Sequence, residues 1–196
     1  MIRLSKTSLI ATLVAMTGTA FADDPAAPSG DPAGGGAPAA MAGGKGSKIV
    51  GADVVGILPL GDYGNAADFA IGAVGRFEYG VTGEIAVTGR VGYIYNLGTP
   101  DGFSLSMIPL LVGGTYKIGT SGLFAQAELG ITNIRTTVDI QGISTTKFSI
   151  GGGVGYQKDK IKARVGFFMP GSQDNANSST VLYGILASVG YDFVAL

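Results

Sequence analysis

VLYGILASVGYDFVAL, residues 181–196, decides the fold. Its odd-numbered positions Val181, Tyr183, Ile185, Ala187, Val189, Tyr191 and Phe193 are all apolar or aromatic. Its even-numbered positions Leu182, Gly184, Leu186, Ser188, Gly190 and Asp192 are small, mixed and finally charged. A period of two belongs to a strand with two unlike faces. The rings stand at both ends of the apolar face, with aliphatic residues between them. The buried face of a soluble sandwich has no reason for aromatic ends. A bilayer gives one, because amphipathic rings favour the two headgroup levels and aliphatic side chains the middle. The stretch therefore reads as a membrane-spanning strand.

The same texture recurs upstream. Strand-like runs are expected at residues 49–58, 69–79, 84–96, 103–118, 123–133, 146–157, 160–169 and 181–194, most near the length a tilted transmembrane strand needs. In the second and third runs Phe69, Ile71, Phe77, Tyr79, Ile85, Val87, Val91, Tyr93 and Tyr95 share one face, and Arg76, Glu78, Glu84 and Arg90 the other. The sixth run sets Phe148, Ile150 and Val154 against Lys147, Ser149 and Gln157, and the seventh sets Ile161, Val165 and Phe167 against Lys162 and Arg164. The fourth run changes parity: Phe103, Leu105 and Met107 oppose Ile108, Leu110, Val112 and Tyr116. Either a bulge near Pro109 reverses the faces, or the upper part of the run clears the membrane. Connections at 80–83, 119–122 and 158–159 are tight, while 59–68, 97–102, 134–145 and 170–180 are longer polar loops. Short turns on one rim and longer loops on the other is the outer-membrane pattern. The expected fold is all-β, an eight-stranded antiparallel up-and-down transmembrane β-barrel. An even strand count with the N-terminus inside puts the short turns on the periplasmic side.

Composition agrees. Only 14% of residues are charged, low for a soluble surface. The 14 acidic and 13 basic residues nearly cancel, so no nucleic-acid partner is expected. Glycine is abundant at 34 residues, mostly inside the strand-like runs. Glycine weakens a strand unless the sheet bends sharply or side chains lack room, and a small closed barrel presents both conditions. With no Cys there is no disulfide, thiolate metal site or thiol nucleophile, and neither a metal nor a cofactor is expected. Residues 1–22 read as a cleaved secretory signal peptide: Arg3 and Lys6, an apolar stretch LIATLVAM, then Ala20-Phe21-Ala22. Residues 23–47 are rich in Pro, Ala and Gly with almost no large apolar side chain. Such a segment cannot offset its ordering entropy and reads as a disordered periplasmic linker. Residues 48–196 are the barrel.

Residues 48–196 resemble the OmpA/OmpX-like outer-membrane β-barrel domain of bacteria. The resemblance is carried by MIPLLVGGTYKIG (107–119), LFAQAELGI (123–131) and VGYDF (189–193). It implies residence in the lipid of a Gram-negative outer membrane. It also implies that the terminal strand, ending in Tyr191-x-Phe193, is the signal met by the barrel-assembly machinery. A small closed barrel has no free edges, so a monomer is expected.

The polar face carries Asp53, Glu78, Glu84, Glu128 and Asp192 against Arg76, Arg90, Lys117, Lys147, Lys162 and Arg164. At eight strands the interior has room only for side chains. Charges buried there must pair or be very costly. A structural charge network among these eleven residues is expected. One alternative is a narrow, low-conductance porin-like ion path whose pairs swap partners. A second is a soluble lipocalin-like ligand binder, with apolar residues within and polar ones outside. Catalysis is not expected. Barrels that modify lipid A and omptin-type proteases use His, and this chain has none. The scattered acids nominate no carboxylate pair. The expected role is structural or surface-interacting.

Overall fold

A computed structural model describes residues 44–138, 141–175 and 178–195. The expected signal peptide, and the linker up to residue 43, lie outside the described residues. The strands are β1 (Lys48–Leu60), β2 (Phe69–Gly80), β3 (Ile85–Leu97), β4 (Phe103–Ile118), β5 (Leu123–Val138), β6 (Gln141–Lys158), β7 (Ile161–Asn175) and β8 (Ser178–Ala195). Each pairs antiparallel with its sequence neighbour, and β1 pairs with β8 to close the barrel. The fold is an all-β, eight-stranded up-and-down barrel. Residues 44–47 form a turn against the short-turn rim, the Gly46 N–H donating to the Gly80 carbonyl at 2.7 Å.

Alternation sorts the side chains as two solvents would. Phe77, Val87 and Ile185 are 47%, 50% and 44% exposed, whereas Arg76, Arg90 and Arg164 are 3%, 4% and 8% exposed. The oily side faces out and the ions face in, the reverse of a lipocalin. Rings ride at both ends of the outer face: Phe77, Tyr79, Tyr116, Tyr191 and Phe193 toward the short turns, and Tyr93, Tyr95, Phe148, Phe167 and Tyr183 toward the longer connections. Val54, Val112, Leu129, Val154 and Val165 lie between. From Tyr183 to Tyr191 the strand runs about 26 Å, enough to cross a hydrocarbon band when tilted.

Close strand approach explains the inward glycines. Gly153 and Gly166 face each other in register across β6 and β7. A Cβ on Gly166 would strike the Gly152 carbonyl oxygen and stand 2.6 Å from the Gly153 Cα. No side chain fits where two strands curve past each other this tightly.

Three sequence expectations change. The polar loops at 134–145 and 170–180 are largely strand: β5 and β6 pair out to Val138 and Gln141, and β7 and β8 to Asn175 and Ser178. The 59–68 connection contains a short helix, α1 (Asp62–Ala66). Pro109 carries no bulge, because the β3–β4 register is the same at Val91↔Leu110 and Ile94↔Met107. The parity change in β4 is a change in which face is apolar, so Leu105 and Met107 point inward and are buried. Register shifts occur elsewhere, between Val50 and Gly51 on β1 and between Phe168 and Gly171 on β7. The second includes Pro170, whose missing N–H suits a break in the ladder.

Candidate functional site

The interior is built in two tiers. The tier nearer the short turns is ionic. Asp53 comes from β1, Arg76 and Glu78 from β2, Arg90 from β3, Glu128 from β5, Lys162 and Arg164 from β7, and Asp192 from β8. All eight are buried. Alternation along each strand puts them on the inner face, and closure of the barrel brings them together.

They form one continuous lattice. Arg76 donates to Asp192 Oδ1 at 2.7 Å, to Glu78 Oε1 at 2.9 Å and to Asp53 Oδ1 at 3.3 Å. The other Asp53 oxygen accepts from Arg90. Arg90 also reaches Glu128 Oε1 at 3.1 Å, and Arg164 reaches Glu128 Oε2 at 2.9 Å. Lys162 Nζ lies 2.6 Å from Glu78 Oε1 and 4.9 Å from the centre of the Phe124 ring. Four carboxylates meet four cations, so the lattice is neutral. Two amides complete it: Gln126 donates to Glu128 Oε1 at 2.7 Å and Gln157 to Asp192 Oδ2 at 3.1 Å.

Of the eleven residues expected in this network, the ion pairs bring together these eight. Glu84 is exposed in the turn before β3. Lys117 is half-buried at the same rim, and Lys147 is half-buried on β6 near the opposite one. All three stand where water reaches, so none faces the desolvation that compels pairing deeper in. Tyr191 and Phe193 both project outward at the short-turn rim, 45% and 57% exposed, with ring centroids 5.7 Å apart.

The second tier was not anticipated. Toward the longer connections the interior becomes an apolar plug of Val55, Ile57, Val74, Ile94, Leu105, Met107, Leu111, Phe168 and Leu186. Helix α1 closes it from above by inserting Tyr63, which is 0% exposed. The Tyr63 hydroxyl donates to Asn96 Oδ1 at 2.5 Å, and Asn96 Nδ2 donates to the Leu105 carbonyl at 3.1 Å. Burial pushes the Tyr63 phenol well above the usual tyrosine range, and the Asn96 hydrogen bond only partly opposes it. Where the tiers meet, Val55, Arg90, Ile94, Leu111, Arg164 and Phe168 line a cavity of about 10 Å³, close to the space of one water. A signal for the plug was present in the inward rows, which turn apolar along each strand: Asp53, Val55, Ile57 on β1, and Arg164, Gly166, Phe168 on β7.

The chemistry available here is limited. Each carboxylate of the lattice is held by at least one cation. Thr88 Oγ1, Thr115 Oγ1 and Arg90 Nε are buried without a partner among the described residues. No group of three or more acidic residues is placed to hold a metal ion among the described residues.

Comparison with solved structures gives the fold its relatives. The N-terminal β-barrel domain of Pseudomonas aeruginosa OprF superposes with a TM-score of 0.54 at 15% identity, covering 76% of this chain and 99% of that one. Ail, the attachment invasion locus protein of Yersinia pestis, gives 0.55 at 10% identity, covering 78% and 99%. Neisserial surface protein A gives 0.51 at 18%, covering 76% and 100%. The chain has the fold of the OmpA/OmpX-like outer-membrane β-barrels. No family model matches the sequence, and no curated protein does. At these identities the likeness concerns the barrel itself. An OmpA/OmpX-like barrel is a lipid-embedded protein of the bacterial outer membrane, and the ring-bordered outer face of this one suits that solvent.

Proposed function

We propose that this OmpA/OmpX-like barrel is a non-catalytic, non-conducting envelope protein that acts structurally and through its loop-side hairpins. One observation carries the reading: the lumen is filled from end to end, by the neutral ion lattice in one half and the apolar plug under Tyr63 in the other. A porin-like path needs ions to find a continuous wet route, and an apolar constriction opposes one by dewetting. The absence of His and Cys from the sequence supports a role without catalysis.

On this reading residues 1–22 are removed on export, residues 23–43 tether the barrel on the periplasmic side, and the short turns face the periplasm. The terminal strand, with Tyr191 and Phe193 outward, is the handle for the barrel-assembly machinery. The barrel stands as a monomer. The test is single-channel recording of the refolded protein in planar bilayers. Current should stay at the bare-bilayer level; discrete steps would overturn the reading in favour of a narrow pore. N-terminal sequencing of the mature protein should begin at Asp23.

A further inference from the structure

The outward face of the short-turn rim is lopsided. On the arc running β6–β7–β8–β1–β2, Lys158 and Lys48 are exposed and occupy outward positions of their strands. Lys160 and Lys45 are exposed in the adjoining turns. Between the lysines stand the exposed rings of Tyr191, Phe193 and Tyr79. Register sets them at one level. Lys48 lies opposite Tyr79, and Ile161 lies opposite both Lys158 and Tyr191. On the remaining arc the outward positions at this level are Ile85, Tyr116, Ile118 and Leu123, none of them cationic.

The charge on the lysine arc is not cancelled from within. Glu78 and Asp192 reach the same rim, but both turn inward and are taken up by Arg76 and Lys162. Asp159, exposed in the β6–β7 turn, is the acid that shares the arc with the lysines. Two outward ammonium groups flanking aromatic rings match one kind of ligand. The ammoniums would face a phosphate at the bilayer surface, and the rings the glycerol and first methylenes just beneath it.

We propose that this arc is a binding seat for an anionic phospholipid headgroup, with Lys48 and Lys158 as its cations. The proposal rests on the reading that the barrel spans a bilayer with its short turns in the periplasmic, phospholipid leaflet. A lysine near an anionic membrane surface is worth about fivefold in affinity, so two give roughly 25-fold. The contribution weakens with salt, because it falls off within a Debye length.

The test uses the full mature chain, refolded into nanodiscs of mixed phosphatidylcholine and phosphatidylglycerol. Lipids that stay on the barrel through mild delipidation are counted by native mass spectrometry. The wild type should retain phosphatidylglycerol over phosphatidylcholine by roughly tenfold or more. Lys48→Gln with Lys158→Gln should lose that enrichment, Lys48→Arg with Lys158→Arg should keep it, and Lys147→Gln near the other rim should leave it unchanged. Equal retention of the two lipids by the wild type overturns the proposal. So does an enrichment that survives the double Gln variant, which would mark a diffuse belt. Preference for a soluble anionic glycan over the lipid would equally overturn it. Membrane orientation is read separately, by protease access to the short turns in intact cells. An inverted barrel would sink the orientation without touching the lipid preference in a symmetric nanodisc.

Discussion

Replacing Arg76 with Met is the sharpest test of the interior. Its guanidinium touches three carboxylates, at 2.7, 2.9 and 3.3 Å, and its side chain is 1% exposed. Without it the lattice holds four carboxylates and three cations. Glu78 keeps Lys162 and Asp53 keeps Arg90, but Asp192 is left with the Gln157 amide alone. Removing one partner from a buried pair costs about 3–5 kcal/mol, most of it the desolvation of the charge left behind. Because three acids share the loss, Arg76→Met belongs near the top of that range, at about 4–5 kcal/mol. The companion variant Arg76→Met with Asp192→Asn restores neutrality. It should recover about 1–3 kcal/mol relative to the sum of the single changes. Urea unfolding in lipid vesicles, followed by tyrosine fluorescence and gel mobility, measures both, since the chain has no Trp. An Arg76→Met barrel within about 1 kcal/mol of wild type, or a double variant no better than additive, would refute the view that pairing sustains these charges.

The apolar tier should behave like the core of a soluble protein: Met107→Ala, at a position 0% exposed, should cost about 2–5 kcal/mol in the same assay. Tyr63→Phe strands the Asn96 oxygen and should cost about 1–3 kcal/mol at neutral pH. Because burial raises the folded-state phenol, the Tyr63 contribution should be intact below the ordinary tyrosine value near pH 10 and drain away as pH rises beyond it. Urea midpoints of the wild type and Tyr63→Phe should therefore converge in strong alkali. Gly166→Val drives a side chain into the Gly152–Gly153 backbone, and on unboiled SDS gels it should run at the unfolded position.

The barrel was legible because period two and ring placement are local signals repeated eight times. Phe103–Ile118 was readable to the residue even though its parity reversed midway. The ion lattice was legible for a related reason: alternation names the inward charges, and a narrow lumen compels them to meet. What alternation cannot tell is depth along the barrel axis. Glu84, Lys117 and Lys147 share the inward parity or border it, yet they sit at rims where water makes pairing optional. Tyr63 was hidden for another reason. It belongs to a five-residue helix in a Gly- and Asp-rich connection, and its burial comes from tertiary insertion beside Asn96 and Met107, 33 and 44 positions away in sequence. The hairpin extensions were read as loops because polar residues there face outward into water rather than into a turn.

That last misreading locates the membrane boundary. On β5 the outward row runs Leu129, Ile131, then Asn133, Arg135, while the inward row runs Glu128, Thr132, then Ile134 packed against the plug. On β6 the outward row passes from Phe148 to Thr146 and Ser144, which hydrogen-bond to Asn133 at 3.1 and 2.9 Å. On β4 it passes from Ile108 to Ser106 as Met107 and Leu105 turn inward to the plug. Three neighbouring strands reverse their polarity at the same level without shifting register. Only a change of outside solvent does that. Below the level the apolar face meets lipid; above it the apolar face must turn inward, because water now lies outside. The plug is thus a consequence of length. Once β4, β5 and β6 outrun the bilayer, their oily side has nowhere to go but over the lumen, and α1 covers what they leave open. The strand from Thr132 to Val138 then rises about 20 Å along its own axis beyond the lipid, as an ordered ribbon with a polar outer surface. Shortening β5 and β6 together at their joined tip should therefore spare the ion lattice while uncovering Ile134 and Leu105, an outcome that hydrogen exchange of the inward amides on β4 would register.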